Sequence, residues 1–404
     1  MRDRYQRLVP GNPDFTFNFA QYELTRTGGS PATLARLLKR LNDMLTRSKQ
    51  RSESFWENLF FDFTLHGGAI AWLAKRDIQG NSVEDRVTVE DILDVIVTSP
   101  LSQQHAASAD FKKTPCWRML KQAQQNVRNA SEARWFDQAG KFWLRRQVLL
   151  GSKARGAAVQ QCSSTLSPFL LEPLRSTVCA KKSTFTPDLP LKQRCFVVDA
   201  PISVHGVGGL LISNLIYMMV AEEASRVTNP QHYTAIFRDE LGQLIADPEF
   251  DMNFQSTCRS QKVCCVSSVQ SLPQLQSALG GDAQSESYMK GLLANYVSRF
   301  LLANNCPETN QFWSDSLGEH RDQFVSTSEQ QPHEAQDFLE ATFGTRRFSY
   351  STSEQLTHIL PPSRFQTLSR GGPDFGYCVS AYYTVGGRTF AGGLPYRLIQ
   401  LMQR

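Results

Sequence analysis

Apolar residues recur at helical spacing in three segments of the first hundred residues. In residues 34–45, the apolar positions 34, 37, 38, 41, 44 and 45 predict an amphipathic helix with a basic outer face. Residues 55–74 are strongly apolar and predict a core helix. Residues 84–97 predict a third helix, with Thr88 as its N-cap and acidic residues in its first turn. Pro and Gly punctuate residues 9–29, which we interpret as a loop with one short strand.

From residue 195 the pattern changes to short apolar runs that alternate with helical segments. The predicted strands are 195–199, 233–237, 263–269 and 299–303. The predicted helices are 210–226, 250–259, 272–279, 288–297 and 309–317. Strands that alternate with helices favour a parallel sheet covered on both faces.

The end of the chain has a third pattern of polar and apolar residues. Residues 326–343 are polar and acidic, and we expect them to be exposed. Residues 377–403 are typical of strands around turns at Gly386-Gly387 and Gly392-Gly393.

The composition fits a folded protein with an uneven charge distribution. Of the 404 residues, 41% are hydrophobic and the net charge is +5, which excludes collagen, a coiled-coil rod and a small disulfide scaffold. Residues 112–194 hold 16 Lys and Arg against 4 Asp and Glu, a net charge of +12, so the rest of the chain has −7. Trp and Phe residues lie among these cations, and the segment is patterned as helix.

Cysteine and histidine usage points to an intracellular protein without a transition metal. The nine cysteines are odd in number and form no CxxC pair, which predicts reduced thiols in the cytosol. The seven histidines are scattered, so we predict no transition-metal site. The longest apolar stretch, residues 210–221, is too short to span a bilayer, and we expect no transmembrane segment in this soluble chain.

The run from Tyr233 to Glu240 ends an apolar strand in two carboxylates and resembles a Walker B element. In such an element Asp239 would hold Mg²⁺, directly or through water, and Glu240 would polarise the attacking water. The alternative is an ordinary strand that ends in an acidic loop.

Two further residues extend this hypothesis. Gln270 ends the next predicted strand, where RecA-like motors place a glutamine that senses the γ-phosphate. Arg259 precedes that strand and could stabilise transferred charge on the nucleotide of an adjacent subunit. The alternatives are a strand cap for Gln270 and a surface helix end for Arg259.

Together these residues resemble the type IV coupling proteins, the conjugative DNA-transfer ATPases of the HerA/FtsK superfamily. The resemblance is specific between about 195 and 320, and looser elsewhere. It is carried by residues 236–243, Arg259, residues 266–275, Gly280-Gly281, residues 292–295 and residues 316–318. Looser similarity is carried by residues 195–201, Gly206, Arg226, Phe55-Trp56 and residues 388–403.

The resemblance implies an α/β fold: a RecA-like, P-loop NTPase-type parallel sheet flanked by helices, with an inserted all-α domain. It divides the chain into three parts. Residues 1–85 are the remainder of the amino-terminal part of the RecA-like domain, and residues 86–185 are the basic all-α insert. Residues 186–404 are the RecA-like part that carries Walker B and the sensor strands. It also implies ATP and Mg²⁺ as cofactors, with Asp239, Glu240, Gln270 and Arg259 as catalytic residues.

The all-α domain of this family meets relaxase–DNA cargo, and the basic block suits single-stranded DNA through phosphate neutralisation and base stacking. The candidate DNA-binding residues are Arg134, Trp135, Lys141, Trp143, Arg145, Arg146, Lys153 and Arg155. The alternative is a helical bundle whose tryptophans form its core and whose charges are solvated.

Two departures from the family pattern matter. The sequence contains no GxxxxGK(S/T) loop to cradle phosphates, and the simplest explanation is a chain that begins after that loop. Arg238 stands where Walker B usually has an apolar residue, and a buried arginine is costly unless paired, so we expect the strand end to be partly open.

The leading hypothesis is a subunit of a DNA-translocating ATPase of type IV secretion. Its partners would be single- or double-stranded DNA, relaxase or other cargo, the other subunits of a hexameric ring, and channel components. The family works at the cytoplasmic face of the bacterial inner membrane. The alternative is a non-catalytic remnant or adaptor that binds single-stranded DNA or cargo through the basic domain, so whether the chain is an enzyme stays open.

Overall fold

The computed structural model describes residues 5–46, 54–75, 86–245, 247–330 and 347–403. They form two compact units, one from residues 1–269 and 276–295, the other from residues 270–275 and 296–404. The first unit contains strands β1 Tyr5–Leu8, β2 Cys195–Val198, β3 Thr234–Arg238 and β4 Val263–Ser267. Its helices are α1 Phe19–Thr25, α2 Pro31–Thr46, α3 Ser54–Ala74, α4 Val89–Val97, α5 Gln103–Ala107, α6 Pro115–Asn126, α7 Ala130–Lys141, α8 Ser152–Leu166, α9 Leu174–Val178, α10 Ile202–Arg226, α11 Pro248–Thr257 and α13 Ala283–Ala294.

Helix α12, Leu272–Ala278, begins in the second unit and ends in the first. The second unit contains helix α14, Pro307–Leu317. Its strands are β5 Ser298–Leu301, β6 Glu319–Gln330, β7 Arg347–His358, β8 Cys378–Val385 and β9 Tyr396–Met402.

The strands of the first unit are parallel, as predicted. β1 pairs with β2, and β3 pairs with β4 in a register that runs from Thr234↔Val263 to Arg238↔Ser267. The strands predicted at 195, 233 and 263 are confirmed within one or two residues of their predicted ends. The mixed α/β class is therefore confirmed.

The prediction that helices cover both faces of these strands is wrong for the described residues. On one face, Ile236 packs against the core that contains α10. On the other face, Phe237 and Val266 are 75% and 44% exposed. The pattern of a buried strand appears in the sequence because both faces are apolar, but the described part of the chain supplies helices to one face only.

The helices of the first unit share one continuous core. Phe63 of α3 packs edge-on against Phe142 and Trp143, which lie in the π-helical turn Phe142–Arg146 that follows α7. The same core extends from Leu8 to Val263. The boundaries at 85 and 185 stay a prediction.

A local sequence signal places the start of α4 correctly. Thr88 caps α4 as predicted, and Asp91 completes a capping box with it. Helix α1 was not predicted, because its seven residues follow a stretch rich in Pro and Gly. Its Asn18 cap and the burial of Phe19 and Leu24 stabilise it in the folded chain.

The second unit is built on antiparallel pairing. β5, β8 and β9 form a three-stranded sheet, in which Ser298 pairs with Val385. The predicted parallel environment of the strand near 299 is therefore wrong, because its partner comes from about ninety residues further along the chain. The two tail strands around the glycine turns are confirmed.

Helix α10 is long and apolar enough, by length and composition, to cross a membrane. Of its most apolar window, however, 67% is buried inside the protein, as in a helix that fills a core. Gly206, at φ 54°, interrupts the helix near its start. Among the described residues this is the one helix with these properties.

Candidate functional site

Two carboxylates follow β3 at its carboxyl end. Asp239 is exposed and Glu240 is half-buried. Glu240 adopts a left-handed backbone conformation, with φ 58° and ψ 61°, which is uncommon for a residue other than glycine. The chain therefore turns here, at the second of two adjacent acidic residues.

Ser268 holds this turn to the neighbouring strand. Its hydroxyl donates to Asp239 Oδ1 and accepts from the Glu240 amide at 3.1 Å. Its own amide donates to the Arg238 carbonyl at 3.0 Å, and its carbonyl accepts from the Leu241 amide at 2.9 Å. Four hydrogen bonds thus tie the end of β3 to the end of β4. The sequence pattern did not indicate a role for Ser268, which lies two residues before Gln270.

Arg238 lies immediately before these carboxylates and is buried. It forms an ion pair with Asp251 of α11, and both side chains are at most 2% exposed. Tyr217 of α10 donates from its hydroxyl to Asp251 Oδ1 at 2.6 Å, and its ring lies 4.3 Å from the guanidinium carbon of Arg238. Arg238 itself is not open to solvent, because a buried partner from α11 compensates its charge. Phe237 and Asp239 on either side of it are exposed, so the strand end is open in part.

Burial dominates the electrostatics of this group. It raises the pKa of the Asp251 carboxyl, although the Arg238 guanidinium opposes the rise. Burial also raises the pKa of the Tyr217 hydroxyl, and the negative charge of Asp251 adds to it. The three side chains join α10, β3 and α11 at the residue that precedes the carboxylates.

Arg259 does not lie beside the carboxylates in this chain. It is exposed in the 3₁₀ turn Cys258–Gln261, which precedes β4. The five residues of β4 separate this turn from Ser268, roughly 16 Å at the usual rise of an extended strand. An action on the same nucleotide as Asp239 would therefore need a second subunit.

Gln270 belongs to the second unit and is exposed. Its main-chain carbonyl accepts a hydrogen bond from Asn304 Nδ2 at 2.8 Å. Its role as a sensor stays a prediction.

The donor set at Asp239 and Glu240 fits Mg²⁺, which binds proteins through one or two carboxylates and completes its shell with water and phosphate oxygens. Ser268 donates a hydrogen bond to one oxygen of Asp239, Oδ1. Within the described ranges, no group of three or more His, Cys, Asp or Glu side chains could enclose a metal ion. A cation here would rest mainly on Asp239. For the phosphates of ATP the sequence offers no GxxxxGK(S/T) loop.

The basic helical block presents several cations to solvent. We call the exposed set on α7, the π-helical turn and the start of α8 the basic surface. It consists of Arg134, Lys141, Arg145, Arg146 and Lys153. Lys141 forms an ion pair with Asp137 at 2.6 Å, and Leu149, three residues after Arg146 in the chain, is 73% exposed.

Two of the residues predicted to contact DNA are buried instead. Trp143 is 0% exposed and packs against Phe63 and Phe142, so no base can stack on it. Arg155 is 9% exposed and donates to Gln147 Oε1 at 3.1 Å and to the Ser99 carbonyl at 3.0 Å. Trp135 is half-buried against the core.

Comparison with known proteins places the carboxylate turn in a recognised segment. Residues 234–370 match the family described as the TraM recognition site of TraD and TraG. The match begins at the first residue of β3 and includes Asp239, Glu240, Arg259, Ser268 and Gln270. No curated protein matches the sequence.

Solved structures of a conjugative coupling protein share the fold. The unbound monoclinic form of TrwBdeltaN70 superposes with a TM-score of 0.54 at 14% identity, over 98% of this chain and 73% of that one. TrwB in complex with ADP and Mg²⁺ gives 0.54 at 13% identity, over 99% and 74%. TrwB with the GTP analogue GDPNP gives 0.53 at 14% identity, over 99% and 74%. The fold is thus the RecA-like fold with a helical domain that we expected.

Proposed function

We propose that this chain is a subunit of a DNA-translocating ATPase that moves DNA or nucleoprotein cargo in conjugation. The observation that carries the proposal is the Asp239–Glu240 turn, held by Ser268 at the carboxyl ends of two parallel strands. In open parallel sheets, ligands bind at this edge. The family match and the fold of the nucleotide-bound TrwB structures support it.

Each of the four residues would have its own role at the nucleotide. When bound, Mg²⁺ would neutralise charge on the β- and γ-phosphates. Asp239 would orient that ion, and Glu240 would orient and polarise the attacking water. Arg259, exposed at the other end of β4, would stabilise transferred charge on the nucleotide of a neighbouring subunit. Gln270 would sense the γ-phosphate.

Because the 404 residues contain no GxxxxGK(S/T) loop, phosphate ligands would have to come from another polypeptide segment. The test therefore uses the protein isolated from its own cells with the polypeptides it retains. We expect Mg²⁺-dependent ATP hydrolysis that Glu240→Gln abolishes while Mg²⁺–nucleotide binding persists. Asp239→Asn should weaken binding as well. Hydrolysis at the wild-type rate in Glu240→Gln would refute the assignment of Glu240.

The matched region also supports a protein partner. Its description as a TraM recognition site suggests that residues 234–370 meet a relaxosome component of TraM type. As in the type IV coupling proteins that the sequence resembles, the chain would work at the cytoplasmic face of the bacterial inner membrane, as one subunit of a hexameric ring beside the secretion channel.

A second candidate function is a binding module without catalysis. The exposed basic surface and the missing phosphate loop favour it. Such a module would bind single-stranded DNA with a strong salt dependence and no response to ATP. Titration of the chain with a fluorescent oligonucleotide, with and without Mg²⁺–ATP, distinguishes the two functions: a change in affinity on addition of ATP favours the motor.

A further inference from the structure

β6 and β7 form a long two-stranded antiparallel ribbon in the second unit. Its register runs from Glu319↔His358 to Gln330↔Arg347, a length of about 40 Å at the usual rise per residue. Along residues 319–328 and 349–356, every side chain except Asp322 is exposed. An isolated two-stranded ribbon is marginally stable in water, so a ribbon of this length calls for a surface that covers one of its faces.

The two faces of the ribbon differ. Residues directly opposite each other across the strands share a face. One face, which we call the apolar face, carries Val325, Tyr350 and Leu356, which are 65%, 71% and 65% exposed. The other, the serine face, carries Ser326, Ser328, Ser349, Ser351, Ser353 and Phe324.

The net charge of the ribbon indicates which kind of partner could bind it. The sequences of its strands contain four carboxylates, two arginines and no lysine, a net charge of −2. On the apolar face lie Glu319, Arg321 and Glu354, and Arg321 forms an ion pair with Glu354 at 3.6 Å. A nucleic acid, which is bound through cations on the protein, is a poor partner for such a surface. A protein surface that combines apolar and basic groups is a good one, because interfaces join an apolar centre to a charged rim.

Every copy of this chain carries a surface of that composition. On the basic surface, Arg134, Lys141 and Arg145 follow one another at helical spacing, and the exposed Leu149 comes four residues after Arg145 in the chain. We propose that the ribbon of one copy docks through its apolar face on the basic surface of a second copy. The contact joins two different patches, so it is heterologous and leaves one patch free on each copy.

The first test is the self-association of the purified full chain, followed by sedimentation across a concentration series without nucleic acid. We expect wild type to self-associate with a dissociation constant below roughly 100 μM, and more weakly at high salt. Val325→Lys should raise this constant at least about tenfold, since it places a cation against cations in the apolar centre. Ser326→Lys is the matched control on the serine face and should stay within about twofold.

Because the proposed contact joins two different patches, mixing two variants that each lack one patch gives a second test. The double variant Arg134→Glu/Lys141→Glu should also fail to self-associate, although its ribbon is intact. When it is mixed with Val325→Lys, the intact ribbon of one variant meets the intact basic surface of the other, so dimers should form in the mixture alone. Failure of the mixture to associate would overturn the proposed contact, as would a wild type that stays monomeric throughout the series.

Crosslinking identifies directly which surface contacts the apolar face of the ribbon. A photoreactive amino acid at position 350, in a mixture of isotopically heavy and light chains, should crosslink to residues 128–153 of a chain of the other label. Crosslinks elsewhere, or solely within one chain, would refute the proposal. Loss of DNA binding or of ATP hydrolysis leaves this result unchanged, so the proposal fails separately from the proposed function.

Discussion

The hydroxyl of Ser268 donates to Asp239 across the carboxyl ends of β4 and β3, and it accepts in turn from the Glu240 amide. One small side chain thereby holds a carboxylate in place and supports a left-handed residue next to it. The arrangement links two segments that are 28 residues apart in sequence.

Removal of this hydroxyl should loosen the carboxylate turn. Ser268→Ala leaves the Glu240 amide without its acceptor, and we expect a loss of about 1 kcal/mol in the free energy of unfolding. In the preparation from the native cells, Mg²⁺-dependent hydrolysis should fall about tenfold, because Asp239 is no longer oriented. Ser268→Thr keeps the hydroxyl and serves as the control. Equal effects of the two variants would show that the hydroxyl does not position Asp239.

The buried ion pair of Arg238 and Asp251 should respond strongly to removal of one partner. Asp251→Asn leaves the guanidinium buried without a counter-charge and should destabilise the first unit by about 3–5 kcal/mol in denaturant titrations. The double variant Arg238→Met/Asp251→Leu removes both charges and should recover most of that loss. A double variant as unstable as Asp251→Asn would mean that packing, rather than charge, sets the cost.

A buried histidine should make the protein sensitive to acid. His66 is 5% exposed and stacks on Phe142 with ring centroids 4.4 Å apart. Burial, helped by the positive charge of Arg146, lowers the pKa of His66 to about 4. Below about pH 6.5 the unfolded chain therefore binds a proton that the folded chain does not, and stability falls until about pH 4.

The expected loss over this range is about 3 kcal/mol in the free energy of unfolding. His66→Leu should abolish that part of the pH dependence in denaturant titrations at pH 7, 5.5 and 4. A His66→Leu protein with the wild-type pH profile would contradict the prediction.

Substitutions on the basic surface should weaken DNA binding, whereas substitution of the buried Trp143 should not. Replacement of Lys141, Arg145 and Arg146 by Gln should weaken binding of a single-stranded oligonucleotide. It should also reduce the slope of log affinity against log salt by about 2, since each neutralised phosphate contributes about 0.7.

Trp143→Leu, by contrast, should lower stability by roughly 2–4 kcal/mol, because it leaves a cavity among Phe63 and Phe142, with little change in affinity for the oligonucleotide. An affinity loss in Trp143→Leu at temperatures where the variant is fully folded would show that the residue reaches the nucleic acid.

Local patterns account for much of the fold that sequence could predict. Helices α2, α3 and α4 follow from apolar spacing and from the Thr88 cap, which depend on residues within one or two turns. Strands β2, β3 and β4 of the first unit follow from short apolar runs. The pairing of β5 with β8 could not be predicted, since nothing local in residues 298–301 specifies a partner that arrives about ninety residues later.

By itself, the sequence determined the alternation of strands and helices, the position of Asp239 and Glu240 at a strand end, and the concentration of positive charge in residues 112–194. These depend on residue type and local spacing. The tertiary structure decided that Ser268 holds Asp239, that Asp251 neutralises Arg238, that Trp143 is buried and that the ribbon is exposed. Each of these depends on which distant segments pack together, and burial and charge pairing acquire their energies only once that packing exists.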